Sequence, residues 1–127
     1  MSLWLVIKLG LEIRIGKIME EYSSEVRNVI KEELASTIKD VLKNLEKDSP
    51  KLTGAYSKGW KSKPTKNAIN NIEYKIYNEK GQLTHLLEYG HLTRNGIGRT
   101  RAIPHIKKNE ERGIALLEKN ISRRLGK

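Results

Sequence analysis

Residues 17–47 carry the feature that most constrains the fold, an apolar stripe at helical spacing. It consists of Ile18, Tyr22, Val26, Val29, Ile30, Leu34, Ile38, Val41, Leu42 and Leu45. Apolar side chains recur at three- and four-residue steps and the opposite face is polar, which is the pattern of an amphipathic helix. About thirty residues at 1.5 Å each would give a helix of about 45 Å. That is long for a small domain, so we expect part of the stripe to project or to pack on a neighbouring subunit.

The remainder of the chain predicts a small sheet and a second long helix. Residues 3–15 alternate in two short stretches, which predicts an N-terminal arm or extra strand over residues 1–16. Residues 69–78 form the clearest strand pattern. A strand with Tyr56, Lys58 and Trp60 on one face would pair with it as a hairpin across a turn at residues 64–67. A short helix at residues 83–89, capped by Thr84, and an amphipathic helix at residues 107–125 complete the chain.

These elements predict an α+β fold and one domain over residues 1–127. Its parts would be a long N-terminal amphipathic helix, a small antiparallel β-sheet and a C-terminal helix packed on the sheet. Apolar residues make up 37% of the sequence and Phe is absent, so the core should be thin. The absence of Cys excludes disulfides and thiolate metal sites.

The net charge of the chain is large, but it does not by itself identify a partner. Twenty-five Lys and Arg against fifteen Asp and Glu give +10, which favours polyanions such as nucleic acid. A lysine-rich composition from an AT-rich genome explains the same count equally well. The apolar start of the chain is too short and too charged to cross a bilayer, and it lacks a signal-peptide cleavage site. We expect a protein made in the cytoplasm, with no membrane partner.

Candidate catalytic and metal-binding side chains are few. His85, His91 and His105 lack the one-turn spacing of a helical metal site, so a hydrogen-bonding or capping role is favoured over metal binding. Glu88 lies between two of them without a second acid nearby, and we interpret Glu88 and His91 as a structural hydrogen-bonding pair. No nucleophile motif or phosphate-binding glycine loop is present. We expect no enzyme activity, no cofactor and no small-molecule substrate.

A basic loop is the strongest candidate interaction segment. Arg94, Arg99 and Arg101 fall within eight residues and have almost no acid between them. Arginine suits phosphate or carboxylate recognition because its planar fork binds both oxygens. Three interpretations stay open: a solvated loop, pairing with acidic residues of an adjacent subunit, or contact with the DNA backbone.

Two sequence blocks resemble the head–tail joining (neck, or tail-completion) family of tailed bacteriophages. The first block runs through residues 49–61 and the second through residues 83–106. The residues that carry the resemblance are Pro50, Thr53, Gly54, Tyr56, Gly59, Trp60, His85, Glu88, Gly90, His91, Pro104 and His105. The two blocks lie between the long amphipathic helix and the closing helix, and the resemblance covers residues 17–125. We interpret Gly54 as a tight entry into a strand and Pro104 as the start of the last helix.

The resemblance implies a structural subunit of the virion that acts by ring assembly and not by catalysis. Its partners would be further copies of itself, other phage connector and tail proteins, and DNA contacted without sequence specificity. Two alternatives from other classes remain. One is a small basic nucleic-acid-binding protein, and the other is an RNA-cleaving toxin of a toxin–antitoxin pair. The sequence leaves ring size, the layer within the neck and the role of residues 1–16 open.

Overall fold

The computed structural model describes residues 2–8, 12–18, 22–51, 54–68, 71–90 and 96–126. These residues form β1 (Ser2–Lys8), β2 (Glu12–Ile18), α1 (Ser24–Asp48), α2 (Ala55–Lys58), β3 (Trp60–Ala68), β4 (Asn71–Asn78), α3 (Gly81–Tyr89) and α4 (Ile106–Arg124). The predicted α+β fold, with a long N-terminal helix, an antiparallel sheet and a C-terminal helix, is confirmed.

The sheet has the strand order β1-β2-β4-β3, and every neighbouring pair is antiparallel. The segment predicted as an arm or extra strand forms β1 and β2, and β2 lies inside the sheet next to β4. In this register Ile13 is opposite Ile76 and Ile15 is opposite Tyr74. Because opposite residues of an antiparallel pair share a face, these side chains form one apolar face. That face packs on the buried side of α1.

Helix α1 begins later than the apolar stripe predicts. The chain stays in β2 through Ile18, because that strand completes its ladder with β4. The helix then begins after Ser23, whose hydroxyl accepts a hydrogen bond from the amide of Val26. Its buried apolar side chains are Ile30, Leu34, Ile38, Val41 and Leu45. The helix ends where Ser49 and Pro50 follow, as the residue before a proline avoids helical angles.

Helix α4 packs mainly along α1 and reaches the sheet at β2. Gly113 makes the close crossing, since a Cβ atom built on it would lie 2.8 Å from Val41 Cγ2 and 3.9 Å from Ile15 Cδ1. Ion pairs lie towards the two ends of the helix, joining Asp48 to Arg112 and Arg124 to Glu33. The C-terminal helix thus covers the joint between α1 and the sheet.

Two predictions about the strand β3 are wrong. Tyr56 lies in the short helix α2 and not in a strand, so it does not alternate with Trp60 on a sheet face. The predicted turn at residues 64–67 is instead part of β3, which continues to Ala68. A strand tolerates Pro64 here because β3 is an edge of the sheet and a bulge follows between Pro64 and Lys66.

Candidate functional site

A buried polar cluster joins α2, β3, α3 and the start of α4. We define it as Tyr56, Trp60, Thr84, Glu88 and His105. Each of these side chains is buried, with Thr84 and His105 at 0% exposure. Buried polar groups are tolerated when their hydrogen bonds are made, so the pairing within this cluster determines its role.

Glu88 binds the amino end of α4. Its Oε1 accepts hydrogen bonds from the amides of His105 (2.7 Å) and Ile106 (2.8 Å), and its Oε2 accepts one from the amide of Lys107 (3.2 Å). The first amides of a helix lack partners within the helix and carry partial positive charge. The carboxylate of α3 therefore acts as the cap that α4 does not have of its own, since the side chain of His105 makes no capping bond.

The same contacts set the acidity of Glu88. Burial raises the pKa of this carboxyl, but the hydrogen bonds from His105, Ile106 and Lys107 outweigh burial and lower the pKa from 4.5 to about 2. The carboxylate is therefore ionised over the whole ordinary pH range, and both of its oxygens can accept hydrogen bonds from the amides of α4.

His105 links Glu88 to Tyr56. Its Nδ1 lies 2.7 Å from the carbonyl oxygen of Ile103 and 3.2 Å from Glu88 Oε1. Both neighbours are acceptors, so Nδ1 carries a proton, and in the neutral ring Nε2 then accepts from the Tyr56 hydroxyl at 2.7 Å. That hydroxyl also lies 3.3 Å from Thr84 Oγ1. Burial raises the pKa of Tyr56 to about 12, so the hydroxyl keeps its proton.

The three rings of the cluster pack edge to face. The ring centroids of Tyr56 and Trp60 are 5.8 Å apart, those of Tyr56 and His105 are 5.6 Å apart, and those of Trp60 and His105 are 6.1 Å apart. Such pairs contribute about 0.5–1.5 kcal/mol beyond their buried area. In a core without Phe, this trio supplies the aromatic packing at the junction of α2 with α4.

Several polar residues that support the cluster were not singled out from the sequence. Ser49 accepts a hydrogen bond from Trp60 Nε1 at 2.8 Å, and Asn78 donates one to the carbonyl oxygen of Tyr56 at 2.8 Å. Asn109 donates to the carbonyl oxygen of His105 and to Asp48. The sequence pattern could have drawn attention to Ser49 and Asn78, because Ser49 directly follows the long helix and Asn78 is the last residue of a strand.

The glycines and prolines of the two motif blocks shape the chain around the cluster. Gly54 has a φ of +83° and precedes the helix α2, so the predicted entry into a strand is wrong. A Cβ atom on Gly59 would lie 2.7 Å from Asn78 Oδ1. Pro104 precedes the capping residue His105 and lies two positions before Ile106, the first residue of α4, so it is not the first helical residue as predicted. Thr84 lies inside α3 and does not cap it.

Part of the predicted site lies outside the described residues. Thr53, His91 and Arg94 are in that part, so the predicted pairing of Glu88 with His91 lies outside it too. His85 is in α3, and the description does not extend to its side chain. In the predicted basic loop Arg99 and Arg101 are both exposed, and Arg99 donates a hydrogen bond to the carbonyl oxygen of Gly90 at 3.3 Å. Arg99 therefore has a structural contact at the end of α3.

Helix α3 also presents apolar side chains to solvent. Leu83, Leu86 and Tyr89 recur every three residues and are 40%, 38% and 55% exposed. Ile103, at 37% exposure, lies beside them because its amide donates to the carbonyl oxygen of Leu87 at 2.8 Å. We call these four residues the α3 surface. Grouped apolar side chains on a small basic protein indicate a contact surface for another protein.

Acid should weaken the fold through Glu88. Its pKa is lower in the folded chain, about 2 against 4.5, so its contribution to stability is complete above 4.5. That contribution decreases as the pH falls from 4.5 through about 2. We expect the free energy of unfolding from urea titrations to decrease over this window, and to decrease less steeply in Glu88→Gln. Parallel pH curves for the two proteins would contradict this assignment.

Comparison with known protein families places the chain in a phage context. The family of HK97-gp10-like proteins, described as "Bacteriophage HK97-gp10, putative tail-component", matches residues 14–90, which is more than half of the chain. Comparisons with curated proteins and with solved structures gave no match. Within the described ranges, none of the helices has the length and apolar character needed to cross a bilayer. The chain belongs to the HK97-gp10-like family of bacteriophage tail components.

Proposed function

We propose that the protein is a structural subunit of the phage or prophage head–tail connector, the neck, and that it completes the tail by assembling into a ring. The observation that carries the proposal is the α3 surface, where Leu83, Leu86, Tyr89 and Ile103 are all exposed. Membership in a family of phage tail components supports the structural role. As a tail component the subunit would be made in the host cytoplasm and carried in the virion.

The occupant of the α3 surface in this proposal is a second copy of the chain. A ring forms when each subunit contacts the next through two different surfaces and the rotation closes. Every copy must then expose an apolar surface before assembly. The α3 surface fits because three large aliphatic side chains accompany Tyr89, and tyrosine is among the residue types that carry most of the energy at protein contacts.

Catalysis has little support in this geometry. Glu88, His105 and Tyr56 form a chain of hydrogen-bonded groups that resembles a proton relay, but all three are buried. The bonds of Glu88 go to backbone amides of the same chain. A general acid or base must reach a substrate atom within hydrogen-bond distance, and these groups face each other instead.

Genetics in the phage tests the role and the surface together. Deleting the gene should leave heads and tails that accumulate without joining. Supplying the wild-type protein should restore joined particles, whereas supplying Leu86→Glu should not, because a buried carboxylate at the contact costs several kcal/mol. Electron microscopy of lysates counts joined particles directly.

Lys39→Glu, an exposed substitution on α1, is the matched control and should restore joining. Purified wild type should show a mass above that of the monomer at high concentration, and Leu86→Glu should shift this equilibrium to the monomer. Joined, infectious particles from the deletion strain would refute the connector role. Full rescue by a stably folded Leu86→Glu would refute the α3 surface as the contact.

A further inference from the structure

The face of the sheet turned away from the helices is strongly basic. Strands alternate their side chains between faces, so the face opposite Ile13, Ile15 and Ile76 carries the intervening residues. Among the side chains that the structure describes, its cations come from β2, β4 and β3 and are Arg14, Lys75, Lys61, Lys63 and Lys66. We call these five residues the sheet-face cations. The three lysines of β3 are exposed, and Arg14 and Lys75 are half-buried.

Three of these cations stand in one row across the strands. Lys75 on β4 is directly opposite Lys63 on one side and Arg14 on the other. Like charges directly opposite in an antiparallel pair destabilise a sheet, and their Cβ atoms are only about 5 Å apart. The row thus brings three positive charges together across β2, β4 and β3.

An aromatic and an acidic side chain on the same face contact several of these cations. Tyr77 lies between Lys63 and Lys75, whose Nζ atoms are 5.6 and 5.5 Å from its ring centroid. Glu73 is 2% exposed and lies 3.5 Å from Arg14 and 3.9 Å from Lys66. Of the described side chains on this face, Glu73 is a carboxylate and five are cations, and the register places Glu12 opposite Tyr77 on the same face, so cations remain in excess.

We propose that the sheet-face cations bind the phosphate backbone of duplex DNA without reading its sequence. Strand spacings place the five charges over an area of about 10 by 15 Å. Duplex DNA carries one negative charge per about 1.7 Å of its axis, so an area of this size covers several phosphates. Lysine ammonium groups on flexible stems suit such contacts because each acts as a point charge.

The composition of the face favours DNA over an acidic protein surface. Lysine is depleted at the centres of protein interfaces, where aromatic and aliphatic anchors dominate. Here Tyr77 is the aromatic side chain between two lysines, and it is half-buried. The inference concerns a surface distinct from the α3 surface and holds for the monomer as well as for a ring.

Two triple variants with the same change of net charge test the proposal. Lys61→Gln, Lys63→Gln and Lys75→Gln are combined in one protein, and Lys39→Gln, Lys43→Gln and Lys47→Gln, all exposed on α1, in the other. Fluorescence anisotropy with a labelled duplex of about 20 base pairs is followed from about 50 to 200 mM salt. We expect the sheet triple to bind at least about a hundredfold more weakly than wild type at low salt, with a salt slope lower by about 2 to 3. The helix triple should stay within about twofold of wild type at low salt, as charges away from the contact act weakly through screening.

A second variant keeps the test decisive if the sheet triple does not fold. Lys63→Gln alone should reduce the salt slope by about 1, because it removes one phosphate contact. Equal weakening by both triples would overturn the proposal, since binding would then follow net charge. Absence of wild-type binding at low salt, or tighter binding to a single strand of the same length, would overturn it as well.

Discussion

Replacing Glu88 with Gln should lower the free energy of unfolding by about 2–4 kcal/mol, because a buried, hydrogen-bonded charge is exchanged for a neutral amide. One amide oxygen could still accept from His105 and Ile106, but the amide nitrogen would face the Lys107 amide, which is also a donor. In a chain of this size such a loss corresponds to a melting temperature lower by roughly 10 °C. Urea denaturation at neutral pH, followed by circular dichroism, measures the loss.

Glu118→Gln is the control, because it also removes one negative charge from a helix of the same protein. Glu118 is exposed on α4, so its replacement should change stability by less than about 0.5 kcal/mol. If Glu88→Gln proved as stable as the control, the carboxylate would contribute nothing as the cap of α4. The cluster would then be held by its aromatic packing.

Replacing Gly90 with Ala should lower the free energy of unfolding by about 2–4 kcal/mol, as backbone strain and a collision act together. Gly90 has φ +75° and ψ 172°, a region open essentially to glycine. An added Cβ would also lie 2.6 Å from the carbonyl oxygen of Thr100 and 3.4 Å from the amide nitrogen of Ala102. The segment that crosses the end of α3 would have to move, and the Ile103 amide should exchange its hydrogen faster.

Gly96→Ala separates the two causes. Gly96 also has a positive φ, +72°, but an added Cβ there would meet nothing within 4 Å. Its replacement should cost about 1–2 kcal/mol from backbone strain without a collision. Equal decreases in the free energy of unfolding for the two variants would show that the close approach of Thr100 to Gly90 does not affect stability. Chemical denaturation of both proteins beside wild type gives the comparison.

The sequence predicts the elements whose pattern depends on one buried face. The stripe of α1 and the alternation of Ile72, Tyr74 and Ile76 in β4 are periodic because each element packs one side on the core. These elements are confirmed, with α1 beginning after Ser23 and not at residue 17. The boundary was missed because the strand β2 ends on an apolar residue, Ile18, that also fits the helical spacing.

The candidate site was less predictable because its contacts are distant in sequence. Tyr56 meets His105 across forty-nine positions, and Glu88 meets the amide of His105 across seventeen. Local spacing places Tyr56 in a strand with Trp60, whereas the tertiary contact holds it in α2. The motif blocks include Glu88, but they do not identify its hydrogen-bond partners. Those partners are the first amides of α4, so they depend on where that helix begins.

The buried polar cluster explains how a chain without Phe closes its core. Trp60 and Tyr56 bring large rings, and each has a polar group that must find a partner when buried. Ser49 and His105 provide those partners. The same contacts therefore satisfy the hydrogen-bonding groups of both rings and fix the start of α4. They also join the C-terminal helix to the first motif block.

The two edges of the sheet differ in a way that limits how copies can associate. In the described part of the chain, β3 is an edge strand interrupted by Pro64 and a bulge, and it carries three lysines. Proline, bulges and lysine each prevent another strand from adding to an edge. In the described sheet, strand addition is therefore restricted to the β1 side. Two copies could pair there through their β1 strands, and no open edge would then remain for a third copy. These features of β3 disfavour growth of an endless fibril by sheet extension, and an assembly of many subunits would rely on side-chain contacts between folded surfaces.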